Sequence, residues 1–259
     1  MKFVLWLAAF APALACGTKS GTDRETEVRI VVDEAVKKDL AALRGAHVYF
    51  GHHSVGANIL EGLSALSKQS GIDVSIDEAP VGENTKPLLK FEDFAKRGEA
   101  NPSDGTQVMA MKLCYVDFRP DTDVGELVQA YAAAVGRVKK ARPGVTIVHV
   151  TPPLMVRPSD LKSKISRTLG KSIWEDEANA KRLEFKQRML ETFPGDPVFD
   201  LAAVESTRPD GTKEEYEVDG KKVPMLWPGY SNDGGHLNGT GQLVAAKAFA
   251  HAFAAALSR

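Results

Sequence analysis

Several things are scarce in this chain, and each scarcity excludes something. There are two cysteines, Cys16 and Cys114, too few for a disulfide framework. Basic and acidic residues number 33 and 34, a formal net charge of −1, so the chain carries neither a nucleic-acid footprint nor an acidic tail. No Pro/Gly/Ser-rich linker divides it, and it has no repeats or low-complexity tracts. The one strongly apolar N-terminal run, Phe3 to Ala15, is too short to span a bilayer. What is present is 43% hydrophobic content over 259 residues, enough for one sizeable α/β domain with a core.

Residues 1–15 read as a targeting segment: Lys2 is a minimal positive start, and an apolar stretch follows. It ends Ala13-Leu-Ala-Cys16-Gly17, which resembles the lipobox of bacterial lipoproteins, with Ala13 where Leu is commoner. The expectation is cleavage before Cys16, lipidation of that cysteine, a polar tether over 16–22 and a single domain over 23–259. A plain secretory signal cut after Ala15 is the rival. Either way the protein is expected to be exported; on the lipoprotein reading it sits in the cell envelope and touches membrane only through its N-terminal lipid. Cys114 lies in the apolar run Val108 to Val116 and is expected to be buried and inert.

Apolar spacing predicts helices over Glu27 to Leu43, Val55 to Lys68, Asp123 to Ala141, Glu175 to Thr192 and Thr240 to Leu257. The charged face of Glu175 to Thr192 reads as solvated surface. Short apolar runs predict strands at Ala46–Gly51, Ile72–Ile76, Gln107–Val116, Val145–Val150 and Val198–Leu201. Ala79 to Thr106 reads as a long loop with one helical turn around Leu88 to Ala95, and Glu217 to Val223 as a hairpin turning at Asp219-Gly220. Strands alternating with helices imply a mostly parallel five-stranded sheet covered on both faces, a three-layer α/β/α sandwich. Ligands of such sheets bind beyond the carboxyl ends of the strands. Ser54, Gly82, Asp117 and Pro152 all follow predicted strands.

Two segments carry chemistry. His47-Val-Tyr-Phe-Gly-His-His-Ser54-Val-Gly56 is a strand ending in a polar cluster and a serine, then turning into a helix. Asn232-Asp-Gly-Gly-His236-Leu-Asn238 places Asp233 three residues before His236, just ahead of the last helix. Together they supply a nucleophile, a base and an orienting carboxylate. Each also has a plainer reading: Ser54 as a helix cap, Asp233 as the acceptor of a tight turn. His149, inside a strand, reads as a satisfied core histidine. Trp174, Trp227 and Tyr230 read as groove lining or core cover.

Ser54 after a first strand, and Asp233-Gly-Gly-His236 before a final helix, resemble the first and last blocks of the SGNH (GDSL-like) hydrolase superfamily, over most of residues 45–257. The resemblance implies a flavodoxin-like fold and a serine esterase needing no metal or organic cofactor, with Ser54 as nucleophile, His236 as base and Asp233 as orienter. It further implies an oxyanion hole from the Ser54 amide and Gly82, with Asn84, His52, His53, Tyr115 and Asp117 shaping the pocket. Departures are plain: Gly51-His52-His53-Ser54 stands in place of Gly-Asp-Ser, and Cys114-Tyr115-Val116-Asp117 in place of Gly-x-Asn-Asp. Val116 cannot donate a hydrogen bond, so one oxyanion donor is missing. Asn84, Lys112 and Tyr115 are candidates to replace it.

The expected substrate is a small-molecule or carbohydrate ester, with no nucleic-acid partner. Two alternatives remain: a non-catalytic glycan-binding envelope protein on the same scaffold, and a zinc-dependent hydrolase using His52, His53, Asp233 and His236.

Overall fold

The computed structural model describes residues 32–171, 173–218 and 220–259. The targeting segment, the tether, Cys16 and the start of the first predicted helix lie outside the described residues, as does Asp219 of the predicted hairpin turn.

Five strands, β1 (Val48–His52), β2 (Asp77–Pro80), β3 (Val108–Met111), β4 (Thr146–Val150) and β5 (Val198–Phe199), pair in parallel in the order β2-β1-β3-β4-β5. Side chains alternate across them, so each face of the sheet receives its own layer. On one face Phe50, Ala110 and Val148 meet α1 (Glu34–Leu43), α2 (Val55–Ser70) and the Ala-rich α8 (Gly239–Leu257), through Leu40, Ile59, Leu63, Phe249 and Phe253. On the other, Tyr49, Met109 and Ile147 meet α3 (Pro87–Ala100), α4 (Val124–Ala141) and α6 (Trp174–Thr192), through Phe91, Phe94, Leu127, Tyr131 and Phe185. The architecture is the expected three-layer sandwich.

Two short helices, α5 (Leu161–Thr168) and α7 (Leu201–Glu205), and an antiparallel hairpin of β6 (Glu215–Val218) and β7 (Lys221–Pro224), complete the described elements. Among the described residues no helix is long and apolar enough to cross a membrane.

Three expectations are corrected. The second strand is Asp77–Pro80, not Ile72–Ile76. It is an edge strand bearing acids and a proline, which suits an exposed edge and gives no apolar signal. Ile72, Val74 and Ile76 pack against the first core from irregular backbone instead. The supposed loop of 79–106 contains the full helix α3, opened by Pro87 at its first turn. Its pattern is obscured because Lys90 is fully buried on it while Leu88 and Leu89 are exposed. The charged face of α6 is not simply solvated. Asp176, Asn179 and Arg182 are buried and bonded to specific partners, though Arg182 Nε has none among the described residues.

Candidate active site

The order 2-1-3-4-5 reverses direction between β1 and β3, and the crevice at such a switch point is where open α/β sheets bind ligands. Ser54 leaves the carboxyl end of β1, and Tyr115 leaves that of β3 through a 3₁₀ turn over Tyr115–Asp117.

Ser54 occupies the N-cap position of α2, yet its side chain makes no cap bond. Its backbone sits at φ 38°, ψ −95°. That is a costly conformation for a residue with a Cβ, of the kind found where a strand-to-helix turn thrusts a side chain outward. The plainer reading as a capping serine therefore loses its hydrogen bond. The geometry of α2 depends on two glycines. A Cβ on Gly56 would lie 2.3 Å from His52 Cγ, and one on Gly62 would lie 2.3 Å from the backbone oxygen of Gln242 in α8.

The second segment folds as a tight loop around one carboxylate. Asp233 Oδ1 accepts from the Gly235 and His236 amides at 2.9 and 2.8 Å, and from the Ser231 hydroxyl at 3.2 Å. This leaves Oδ2 for His236 Nδ1, at 2.6 Å. These donors hold the Asp233 carboxyl well below the usual range, the His236 bond contributing most. Nδ1 therefore carries the hydrogen and Nε2 is left as the acceptor, the tautomer a general base needs. The loop is tied to α2 because the Leu237 amide donates to Asn58 Oδ1 at 3.2 Å, and the Asn58 amide in turn donates to the Ser54 carbonyl at 3.1 Å. Serine and histidine thus stand on either side of one helical turn. In this state Nε2 faces the Tyr115 hydroxyl at 3.3 Å, a long contact. The Tyr115 ring lies edge-on to the imidazole and against Gly235, where a Cβ would come within 2.9 Å of it. Burial and the Asp233 charge raise the Tyr115 pKa.

The other predicted residues form a brace behind the rim. His53 Nε2 donates to the Val81 carbonyl at 2.8 Å and reaches that of Gly82 at 3.2 Å, holding the 81–86 loop beside the serine turn. Gly82, at φ 52°, must be glycine, since a Cβ there would meet the Lys90 backbone at 2.7 Å. Its N–H is engaged by Asp93 at 2.7 Å, so it is not free for an oxyanion as placed. Asp117 is buried, accepting from Lys90 Nζ at 2.7 Å and the Thr85 and Cys114 amides at 2.9 and 2.6 Å. It staples the turn after β3 to the 81–90 segment. Lys90 also donates to Asn84 Oδ1 at 3.1 Å, fixing that exposed amide with its Nδ2 unclaimed. His52 is buried beneath α2 and pairs with Glu78 at 2.7 Å; its pKa falls, chiefly through burial.

Lys112, fully buried, donates to the Leu113 carbonyl at 3.2 Å and approaches Cys114 Sγ at 3.7 Å, and burial lowers its pKa. It faces inward, not toward the rim. Cys114 is buried and free, as expected. His149 is a core histidine, bonded to Tyr131 at 2.9 Å and Asp196 at 3.2 Å. Among the described residues no three of the metal-ligating type converge, and His52, His53 and His236 each turn to a different partner. The zinc ligand set is thereby corrected.

Sequence reasoning missed Asn58, Lys90 and Asp93, which position the two loops. Lys90 had a signal: a lysine in register with Phe91 and Phe94 on the inward side of a helix. An open depression of about 820 Å³ lies at the opposite end of the sheet, lined by His47, Asp77, Arg97 and Asp104. Its acids Asp77 and Asp104 are already paired, with Arg97 and Arg142.

No family model matches this chain, and no curated protein does. Among solved structures it is similar to a Streptococcus pneumonia protein provisionally described as a platelet activating factor, at 15% identity and TM-score 0.49, covering 83% of this chain and 88% of that one. It is also similar to a Desulfitobacterium hafniense protein provisionally described as lipolytic and of the G-D-S-L family, at 10% identity and TM-score 0.47, covering 80% and 99%. A third is the periplasmic domain of a Salmonella ser. Paratyphi A lipopolysaccharide acetyltransferase, at 13% identity and TM-score 0.41, covering 83% and 85%. Likenesses this distant transfer no residue role.

Proposed function

We propose that the protein is a serine esterase of the SGNH type acting on an acylated carbohydrate in the bacterial cell envelope, to which Cys16 anchors it. The reading is carried by one observation: a histidine whose Nδ1 is bonded to a carboxylate at 2.6 Å and whose Nε2 has only a long contact to the Tyr115 hydroxyl, in a loop tied through Asn58 to the helix that begins at a serine in a strained strand-to-helix turn. Ser54 Oγ attacks the ester carbonyl as His236 Nε2 takes its proton. The same nitrogen returns that proton to the departing alcohol oxygen. Water, deprotonated in turn by His236, then releases the acyl group as a carboxylic acid and restores the serine. An alcohol in place of that water makes the reaction acyl transfer.

The oxyanion is held by the Ser54 amide at the start of α2, where the helix dipole assists, and by Asn84 Nδ2 in place of the asparagine that Val116 replaces. Tyr115 rests on Nε2 until an ester enters. A second reading, a glycan-binding protein without turnover, draws support from Val116 and from the engaged Gly82 amide.

The test is p-nitrophenyl acetate hydrolysis and fluorophosphonate labelling of wild type, Ser54→Ala and His236→Ala. Turnover and labelling lost in both variants and indifferent to chelator support the esterase. Glycan binding that survives Ser54→Ala, with no turnover in wild type, supports the second reading.

A further inference from the structure

Helix α5 is built inside out. None of its residues is buried. Leu161, Ile165 and Leu169 are 73%, 50% and 65% exposed, and spacing by four aligns them in one stripe. At about 100° per residue, Lys162 and Lys164 fall on either side of that stripe and Arg167 on the opposite face. Arg167 fastens the helix to the body, donating to both Asp176 oxygens at 2.7 and 3.0 Å and to the Pro158 carbonyl at 2.7 Å. The helix needs no core contact to hold its shape. Asp160 caps its start by accepting from the Ser163 amide at 3.0 Å. Gly170, at φ 67°, closes its end, with the Lys171 amide bonded to Ser166 at 2.9 Å. A helix on a soluble surface turns its apolar face inward; this one turns it out.

The segment that leads into α5 passes the candidate site. The segment joining β4 to α5 runs along the rim, where the Val156 amide donates to the Gly234 carbonyl at 2.9 Å, within the Asp233–His236 loop. Its charge selects the occupant. Between 157 and 171 the chain carries Arg157, Lys162, Lys164, Arg167 and Lys171 against the single acid Asp160. Both arginines are taken by Asp176. The three lysines are exposed and, among the described residues, form no ion pair. An apolar stripe flanked by free lysines is complementary to a surface with an apolar interior and an anionic face.

We propose that α5 docks the protein on an anionic lipid bilayer, Leu161, Ile165 and Leu169 entering the acyl boundary while Lys162 and Lys164 meet headgroup phosphates. This contact is separate from the N-terminal anchor proposed above. It does not depend on the esterase reading.

The test is flotation of the full chain with phosphatidylcholine vesicles, with and without phosphatidylglycerol, for three proteins. These are wild type, Lys162→Gln/Lys164→Gln and Leu161→Ser/Ile165→Ser/Leu169→Ser. The N-terminal segment is common to all three, so its contribution cancels in the ratios. The lysine variant is expected to lose about 25-fold in partition onto anionic vesicles, roughly fivefold per lysine, and little onto neutral ones. The serine variant is expected to lose at least about tenfold on both. All five positions are exposed, and an unchanged melting temperature confirms intact folding. Variants that partition like wild type overturn the proposal, as does a wild type indifferent to phosphatidylglycerol. Self-association abolished in the serine variant with vesicle binding unchanged would give the stripe to a second copy and equally overturn it.

Discussion

Replacing Asp233 by asparagine separates the two jobs of that side chain. Oδ1 builds the loop, accepting from two amides and the Ser231 hydroxyl; Oδ2 alone addresses His236 Nδ1. Asparagine keeps the Oδ1 acceptor, so the loop survives. Its NH₂ group then faces Nδ1 and can pair only with an unprotonated nitrogen, which moves the imidazole hydrogen to Nε2. The base loses its lone pair toward Ser54. The equivalent exchange in a serine protease triad costs ~10⁴ in kcat through that tautomer switch, or about 5.5 kcal/mol of barrier. The stability cost should stay below about 1 kcal/mol, since three of four hydrogen bonds persist and the side chain is 57% exposed. Asp233→Ala, losing all four, should cost more stability for a similar loss of rate. The assay is p-nitrophenyl acetate turnover, or the rate of fluorophosphonate labelling, read beside thermal melts. An Asp233→Asn protein that melts normally and keeps more than about a tenth of wild-type rate would refute the assignment of His236 as base.

Four further outcomes follow from particular contacts. Ser54→Gly should be more stable than Ser54→Ala by about 1 kcal/mol, both being unlabelled by fluorophosphonate, because glycine relaxes at φ 38° and alanine does not; equal melting temperatures would remove the strained turn. Asn84→Ala should lower kcat by ~10²–10³ with KM little changed if Nδ2 holds the oxyanion, whereas Tyr115→Phe and Gly235→Ala, both of which free Nε2 from the tyrosine hydroxyl, should each change it less than about tenfold. Gly62→Ala should destabilise by roughly 2–4 kcal/mol, measured by urea titration, since its Cβ would lie 2.3 Å from α8 backbone that cannot move away cheaply. Glu205 is buried without a partner for Oε1, and burial raises its pKa to about 8. The folded state therefore keeps a proton that the unfolded state has lost, so the group's contribution to stability declines as pH rises from the unfolded value near 4.5 to about 8 and is level outside that window. Glu205→Gln should be neutral at the acid end and increasingly stabilised, relative to wild type, up to about pH 8; a pH-independent difference between the two melting curves would refute this.

How much of this was legible in the sequence depends on the range over which each signal acts. The strand-to-serine turn and the Asp-Gly-Gly-His loop are local devices. A carboxylate three residues ahead of a histidine can bond both its amide and its ring, and the intervening glycines leave room, in this case for the Tyr115 ring. Residue spacing alone carries that information, as it does for the four strands and the long helices whose apolar periodicity faces a core. Edge strand β2 has no such face and was misplaced. Helix α3 hides its period because it buries Lys90, and Lys90 is buried only because Asp117, 27 residues away, waits to receive it. The reach of the charged α6 into the site is likewise a long-range matter, Arg182 donating to the Tyr115 carbonyl across 67 positions at 2.6 Å.

The same distinction decides which part of the candidate site can be read from a single chain. The proposed base and its orienting carboxylate sit within one loop and announce themselves. The proposed oxyanion donors come from two separate strand ends, and whether an amide is free depends on what the rest of the fold has done with it. Gly82 has the right position after β2 and the right residue type, yet Asp93, a turn into the next helix, takes its N–H. Asn84 has no motif to mark it, yet Lys90 and Asp117 together orient its amide. The proposed donor set follows from pairings among exposed Asp93 and buried Lys90 and Asp117, so substitutions at these positions should alter rate through Gly82 and Asn84. Asp93→Asn is the sharpest case. It weakens the carboxylate's hold on the Gly82 amide by removing the charge that strengthens such a bond. If that amide can serve an oxyanion once released, kcat should rise rather than fall, the reverse of what disrupting a structural contact ordinarily does.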